Sequence, residues 1–327
     1  MTRASPNLSL AILGLALSFA TTAQAQTGRI YVSAERANKV FVLDVGTLEV
    51  KQSIDTGKRP RDIHLSRDGK LLYVACGTDN AIEIIALPNG IKQGSIETGA
   101  SPETFLVDEK ADRLFVTNEK DSTLAILNLR NKASSHDVKT GGEPEGLALA
   151  KDGKLVFVSS EADDMVHKID VESGNVIATR KVSTRPRRLA LSPDQSQLWV
   201  AAERSGEIHI LDAASLQPKG TITLAPPHTA KPDITPVGLD FTQDGTTLWA
   251  ALGRAGQVAE IDAKSQKVRR YIEVGKRPWG LKLSQDGARL YVANSLSGDL
   301  SVIDTQQGRV IKQVPLGEGA WGIALSE

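Results

Sequence analysis

The chain has 327 residues, with 39 basic and 39 acidic side chains and a formal net charge of zero. That balance excludes the broad basic face of a nucleic-acid binder, and the length is enough for a large core in one or two domains. Aromatic residues are only 4% of the chain, while Val, Ile, Leu, Gly and Thr are plentiful, a bias toward β-structure.

The first 25 residues read as a separate segment. Arg3 supplies a positive start, Leu8 to Ala20 is an uncharged apolar run, and Ala23-Gln24-Ala25 is a small-residue cleavage site. This pattern predicts a secretory leader cut after Ala25. Thirteen apolar residues fall short of the roughly 20 that span a bilayer. The mature chain, residues 26–327, is therefore expected to be exported, periplasmic and without a membrane span.

From residue 26 onward the sequence repeats, and repeats set the architecture. A turn proline precedes the first strand of each unit at Pro60, Pro102, Pro144, Pro186, Pro236 and Pro278, with Ala320 in the seventh place. The aromatic of the next strand recurs at Tyr31, Tyr73, Phe115, Phe157, Trp199, Trp249 and Tyr291. The third strand ends at Asp44, Ala86, Asn128, Asp170, Asp212, Asp262 and Asp304. Seven units of 42 residues and one eight-residue insertion account for the 302 residues from 26 to 327.

Each unit predicts four short antiparallel strands. In the unit opening at Pro278, "WGLKLS" is the first, "RLYVANS" the second, "LSVID" the third and the more polar "RVIKQVPLG" the fourth. Four strands at this period are the mark of a propeller blade. The chain starts with a second strand and ends, in "GAWGIALSE", with a first. The last strand can thus complete the first blade and remove the exposed edges. A linear solenoid needs caps instead. The expected fold is all-β, one seven-bladed propeller over residues 26–327.

"LYVA", "LFVTN" and "LYVANS", followed by a short turn and "VID"-type strands, resemble the YVTN family of β-propeller repeats. The whole repeat region resembles, more narrowly, the PQQ-dependent catabolism-associated β-propeller proteins. That resemblance implies a place in periplasmic quinoprotein oxidation of alcohols. It implies a partner such as a quinoprotein dehydrogenase, a cytochrome or a transport component, and an association with PQQ. It supplies no catalytic residues.

The residues themselves direct attention to the mouth of the central channel, where loops on rigid blades host function. One place past each proline stand Arg61, Glu103, Glu145, Arg187, Val237, Trp279 and Trp321. Arg59, Arg185, Arg188 and Arg277 add to the basic side. Arginine forks match carboxylates and tryptophan offers a flat face to a ring or a cation. An anionic aromatic ligand, such as a quinone bearing several carboxylates, suits Arg61, Glu103, Glu145, Arg187, Arg188, Trp279 and Trp321. The competing reading is that Arg and Glu pair across the mouth and the tryptophans plug it. Glu35, Glu119, Glu161 and Glu203 recur at one place in the loop between second and third strands. That recurrence predicts a structural task, such as accepting bonds from neighbouring backbone.

The insertion "LAPPHTAKPDITP", Leu224 to Pro236, breaks the symmetry and carries His228 and Asp233. It is expected to be a lid or docking loop. The single cysteine, Cys76, closes a strand pattern and is expected to be a buried small hydrophobe. No Cys-x-x-Cys-His or zinc-type set occurs, so no intrinsic cofactor, metal or catalytic residue is assigned. Three functions remain: a non-catalytic periplasmic docking or binding propeller, a propeller enzyme of lactonase, isomerase or hydrolase type, and a structural or adhesion module.

Overall fold

The computed structural model describes residues 1–2, 28–317 and 319–326. All but the first two residues of the expected leader, and its cleavage site after Ala25, lie outside these residues. Seven four-stranded antiparallel sheets follow one another around a central channel. Their inner strands are Pro60–Leu65, Pro102–Asp108, Pro144–Leu149, Pro186–Leu191, Pro236–Phe241, Pro278–Leu283 and Ala320–Ser326. We call the blades they open 2 to 7 in that order, the last strand belonging to blade 1.

Blade 1 is closed across the two ends of the chain. Ala320–Ser326 pairs with Arg29–Ala34, with Ser326 opposite Arg29 and Ala320 opposite Ala34. The third strands end at the seven positions expected, from Asp44 to Asp304.

The burial pattern explains why these segments are strands. The second strand of each blade is almost wholly apolar and buried, as in "LLYVAC" and "RLYVAN". Both its faces pack against neighbouring blades, so alternation is lost, as it is in any sheet covered on both sides. The outer strands, such as Val50–Asp55, alternate toward solvent and bury one residue near their end. Seven apolar clusters among the described residues fill the seven gaps between blades. Tyr31, Val42, Ile63 and Val74 lie between blades 1 and 2, and Val237, Trp249, Trp279 and Leu290 between blades 6 and 7.

Cys76 ends its strand with no exposed surface, and burial pushes its thiol up. The turn aspartates Asp68, Asp194, Asp244 and Asp286 accept the N–H two residues on and lie opposite the mouth. Among the described residues, no helix is long and apolar enough to cross a membrane.

Candidate functional site

Each blade presents its mouth through one recurring turn. The residue before the proline takes a left-handed backbone at Arg59, Ser101, Glu143, Arg185 and Arg277, with φ between 51° and 64°. Such a conformation is costly for a non-glycine residue, and more so before proline. It persists because the carbonyl it turns outward accepts the N–H of the next loop in the same blade. Gly77 binds Arg59 at 2.9 Å, Glu203 binds Arg185 at 2.9 Å and Ser295 binds Arg277 at 3.0 Å. Side-chain carbonyls of Asn38 and Asn80, and the carboxylate of Asp164, hold the amides of Arg59, Ser101 and Arg185 from the preceding blade. The turn thereby fixes where Arg59, Arg185 and Arg277 emerge.

The residues one place past the proline do not line an open cup. Glu103, Glu145, Arg187, Val237, Trp279 and Trp321 are all buried, and Arg61 nearly so. Most of their charge is spent on one another. Arg61 reaches Glu103 at 2.6 Å, and Arg59 reaches the same carboxylate at 2.9 Å and Glu35 at 3.3 Å. A second cluster repeats the plan three blades on. Arg187 meets Glu145 at 3.2 Å and Glu203 at 2.8 Å and pairs with Glu161, while Arg185 meets Glu161 at 2.8 Å and Glu203 at 3.0 Å.

The four recurrent glutamates therefore serve as arginine acceptors. The structural task expected of them is therefore carried out with arginine rather than with backbone, because guanidinium groups outcompete neutral amides for a buried carboxylate. Six carboxylates face four guanidinium groups in these clusters, so some retain a proton. Burial and the neighbouring Glu145 push Glu161 up to about 9, against Arg187 and Arg185. Burial likewise holds Glu103 well above the carboxylate range, with Arg61 pulling down and Glu145 pushing up.

The tryptophans plug the rest. Trp279 and Trp321 pack 6.0 Å apart. Arg187 and Arg277 both lie 4.9 Å over Trp279, and Arg61 and Arg188 lie 5.4 and 4.6 Å over Trp321. The structure thus brings Arg61, Glu103, Glu145, Arg187, Arg188, Trp279 and Trp321 together, as a closed layer across the channel.

Two cavities flank that layer. The first lies within the channel beneath it and holds about 430 Å³, lined by Asp62, His64, Arg188, Leu189 and Leu281 among others. His64 Nε2 stands 3.4 Å from Asp62, and Arg188 stands 3.4 Å from the same carboxylate oxygen. Although burial opposes it, Arg188, His64 and the Phe105 N–H hold the Asp62 carboxyl at about 2.

The second opens on the mouth face across blades 5 to 7 and holds about 470 Å³. Arg185, Arg187, Glu203, Arg204, Pro232, Thr235, Arg254 and Arg277 line it. It exists because blade 6 presents Thr235 and Val237 where blades 2, 4 and 5 present long charged side chains at both places. Pro232, from the short helical turn Lys231–Asp233 of the insertion, forms its outer wall. Arg204 and Arg254 follow Glu203 and Gly253 in the loops between second and third strands. Reading those loops one residue further in the sequence would have found both.

The insertion is anchored rather than loose. Leu224 and Ile234 are buried, and the Ala225 N–H donates to the Tyr271 hydroxyl at 2.8 Å. His228 and Asp233 are both exposed on it, and among the described residues no hydrogen bond or ion pair joins them. No group of three or more His, Cys, Asp or Glu side chains among the described residues is placed to hold a metal ion.

Comparison with known proteins agrees with this architecture. A family model described as a YNCE-like beta-propeller matches residues 106–217, and one described as a lactonase, 7-bladed beta-propeller, matches residues 20–90. No curated relative matches the chain. It is similar in structure to a Lactobacillus plantarum protein, at 17% identity and TM-score 0.79 over 92% of this chain and 100% of that one. A putative 6-phosphogluconolactonase from Bacteroides uniformis aligns at 15% identity and TM-score 0.78 over 92% and 100%. Kuenenia stuttgartiensis hydrazine synthase aligns at 17% identity and TM-score 0.76, over 84% of this chain and 91% of that chain. At these identities the likeness is one of fold.

Proposed function

We propose that this chain is an exported propeller that binds an anionic ligand or partner on its mouth face without transforming it, in a periplasmic oxidation system of the quinoprotein kind. One observation carries the reading. Arg59, Arg61, Arg185 and Arg187 are each paired with carboxylates, whereas Arg204, Arg254 and Arg277 make no ion pair among the described residues. A rigid cationic sector beside a sealed channel is suited to recognition, because arginine forks bind carboxylate or phosphate with little loss of order.

The carboxylates of a PQQ-like quinone match these arginines in charge, but its ring finds no open platform. Guanidinium groups already lie over the rings of Trp279 and Trp321, and both tryptophans are buried. The quinone is accordingly assigned to a partner such as a dehydrogenase, cytochrome or transport component, and not to this chain. Native mass spectrometry of protein purified gently from exporting cells tests the reading. The expected result is an anionic ligand or partner that is retained by the wild type and lost in Arg254→Ala. A bare mass for the wild type would overturn it.

A second reading, as a lactonase-type hydrolase, has its own support. The lactonase model matches residues 20–90, and that stretch holds Asp62 and His64 of the channel cavity. There His64, oriented by Asp62, would take a proton from water as it attacks a lactone carbonyl and then return it to the ring oxygen as the ring C–O bond breaks, giving a hydroxy acid. Acid release from glucono-δ-lactone, abolished in His64→Ala, is the expected sign. No release by the wild type removes this reading.

A further inference from the structure

We infer that the cavity across blades 5, 6 and 7 is a binding site for a compact small-molecule polyanion, a di- or tricarboxylate or a phosphate ester. It is walled by the Leu224–Pro236 insertion. The inference rests on the binding reading above and narrows it from a surface to a recess and from any anion to a class of ligand.

The charge count defines the class. Five arginines line the cavity against one carboxylate, Glu203, which is already shared by Arg185 and Arg187. Arg204, Arg254 and Arg277 remain uncompensated, so a ligand carrying two or three negative charges restores balance. Arg277 is crowded by like charge. Burial, together with Arg187, Arg254 and Arg185, pushes its guanidinium down, against the pull of Glu203. An anion among these groups relieves that repulsion.

Shape argues for a small ligand. A volume of about 470 Å³ is at the lower end of the range, roughly 300–1,000 Å³, that small-molecule sites occupy. Three elements hold its walls. The Arg277 backbone is fixed by the Ser295 N–H, and its guanidinium rests on Trp279. Arg254 opens on a short turn whose N–H groups bind Thr235, at 2.7 Å to Oγ1 and 2.8 Å to O. The insertion brings Pro232 over the outer side. Arg277 is thus held in place before a ligand arrives, while Arg204 and Arg254 are exposed at the rim and close on it. The insertion, which no other blade carries, thus serves as a wall of the pocket.

Titration calorimetry of the mature chain with citrate and with pyrophosphate tests the assignment, glycerol serving as the neutral control. At least one anion is expected to bind with a dissociation constant below about 1 mM, weakening as salt is added. Arg254→Gln and Arg277→Gln should each weaken it about tenfold or more. Lys110→Ala, on the opposite face, should leave it unchanged. Replacing residues 226–233 by two glycines should weaken it as well. Circular dichroism melting reports whether each variant folds, and the other arginine variant carries the comparison if one does not. No binding of either anion by the wild type, or equal binding by Arg254→Gln, overturns the pocket. If the anions fail while an arginine-dependent protein partner is retained, the pocket falls and the docking reading stands. If neither is seen, both fall.

Discussion

Gly280 sits where the inner strand of blade 7 passes the carbonyl of Trp321, and a Cβ there would lie 2.1 Å from that oxygen. Gly238 meets the Trp279 carbonyl in the same way, at 2.3 Å. These glycines let neighbouring inner strands approach around the channel. Gly287 is glycine for another reason: its φ is +70° and the space around it is open. Gly280→Ala is therefore expected to cost about 2–3 kcal/mol by overpacking, and Gly287→Ala about 1–2 kcal/mol by backbone strain. Urea unfolding of the pair measures the difference; equal costs would mean that close approach is not what Gly280 serves. Glu161 makes a prediction of its own. Its folded carboxyl titrates at about 9, far above the roughly 4.3 of an unfolded chain. Between those values the folded state holds a proton that the unfolded state releases, so stability falls as pH rises from about 4 to about 9. In Glu161→Gln that slope should flatten, the variant melting above the wild type at pH 9 and near it at pH 5. Asp62 acts with the opposite sign. Held at about 2, it stabilises the fold above the ordinary carboxylate range and loses that contribution as the pH falls toward 2.

The C-terminal strand is the element on which the ring depends. It pairs along Arg29–Ala34, places Ala320 and Ala324 in the cores on either side of blade 1, and gives the Gly322 N–H to Ser33 Oγ at 2.8 Å. Ser33 Oγ in turn donates to the Arg61 carbonyl of blade 2 at 2.5 Å, so the hydroxyl ties two blades together. Thr117 and Ser159 repeat that bridge to Glu145 and Arg187. Deleting residues 319–327 is expected to lower the melting temperature by about 10 °C or more, several kcal/mol at about 2–4 °C each. A melting temperature unchanged by the deletion would refute closure by this strand.

At the scale of the molecule, stability comes from seven like interfaces arranged in a circle, and the closure lies inside a sheet instead of between sheets. A break within blade 1 is held by backbone hydrogen bonds as well as side-chain packing. A circular permutant joining residues 327 and 28 by a short linker and opening the chain at Gly99–Ala100 moves the break between blades 2 and 3. There only side chains bridge the gap. The permutant should unfold at a lower urea midpoint than the wild type, with the same circular dichroism spectrum before unfolding. An equal midpoint would show that closure through a shared sheet adds nothing. The mouth is also a property of the whole ring. Arg59 pairs with Glu103 from the next blade, and Arg187 with Glu145 from the one before, so removing blade 3 or blade 5 would strand a buried charge.

The amino-acid sequence determined the blades by itself. Apolar second strands, turn prolines and turn aspartates are local signals, repeated seven times, and local chemistry is enough to specify four strands and their order. Split ends at Arg29 and Ser326 likewise dictated closure, since an unpaired inner strand and a three-stranded blade complete one another. Cys76 was legible for the same reason: its place at the end of a buried strand settles its environment. The mouth was legible only as a list of residues. Which glutamate takes which arginine depends on side chains 16 to 44 residues apart, most of them meeting across a blade boundary, as Arg61 meets Glu103. The sequence could not show that Trp279 and Trp321 lie beneath guanidinium groups, nor that Arg204 and Arg254 have no ion pair among the described residues. The recess they line is a vacancy left by Thr235 and Val237 in blade 6 and walled by Pro232. Only the tertiary structure decides such a vacancy, because it is formed by what three separate blades fail to fill.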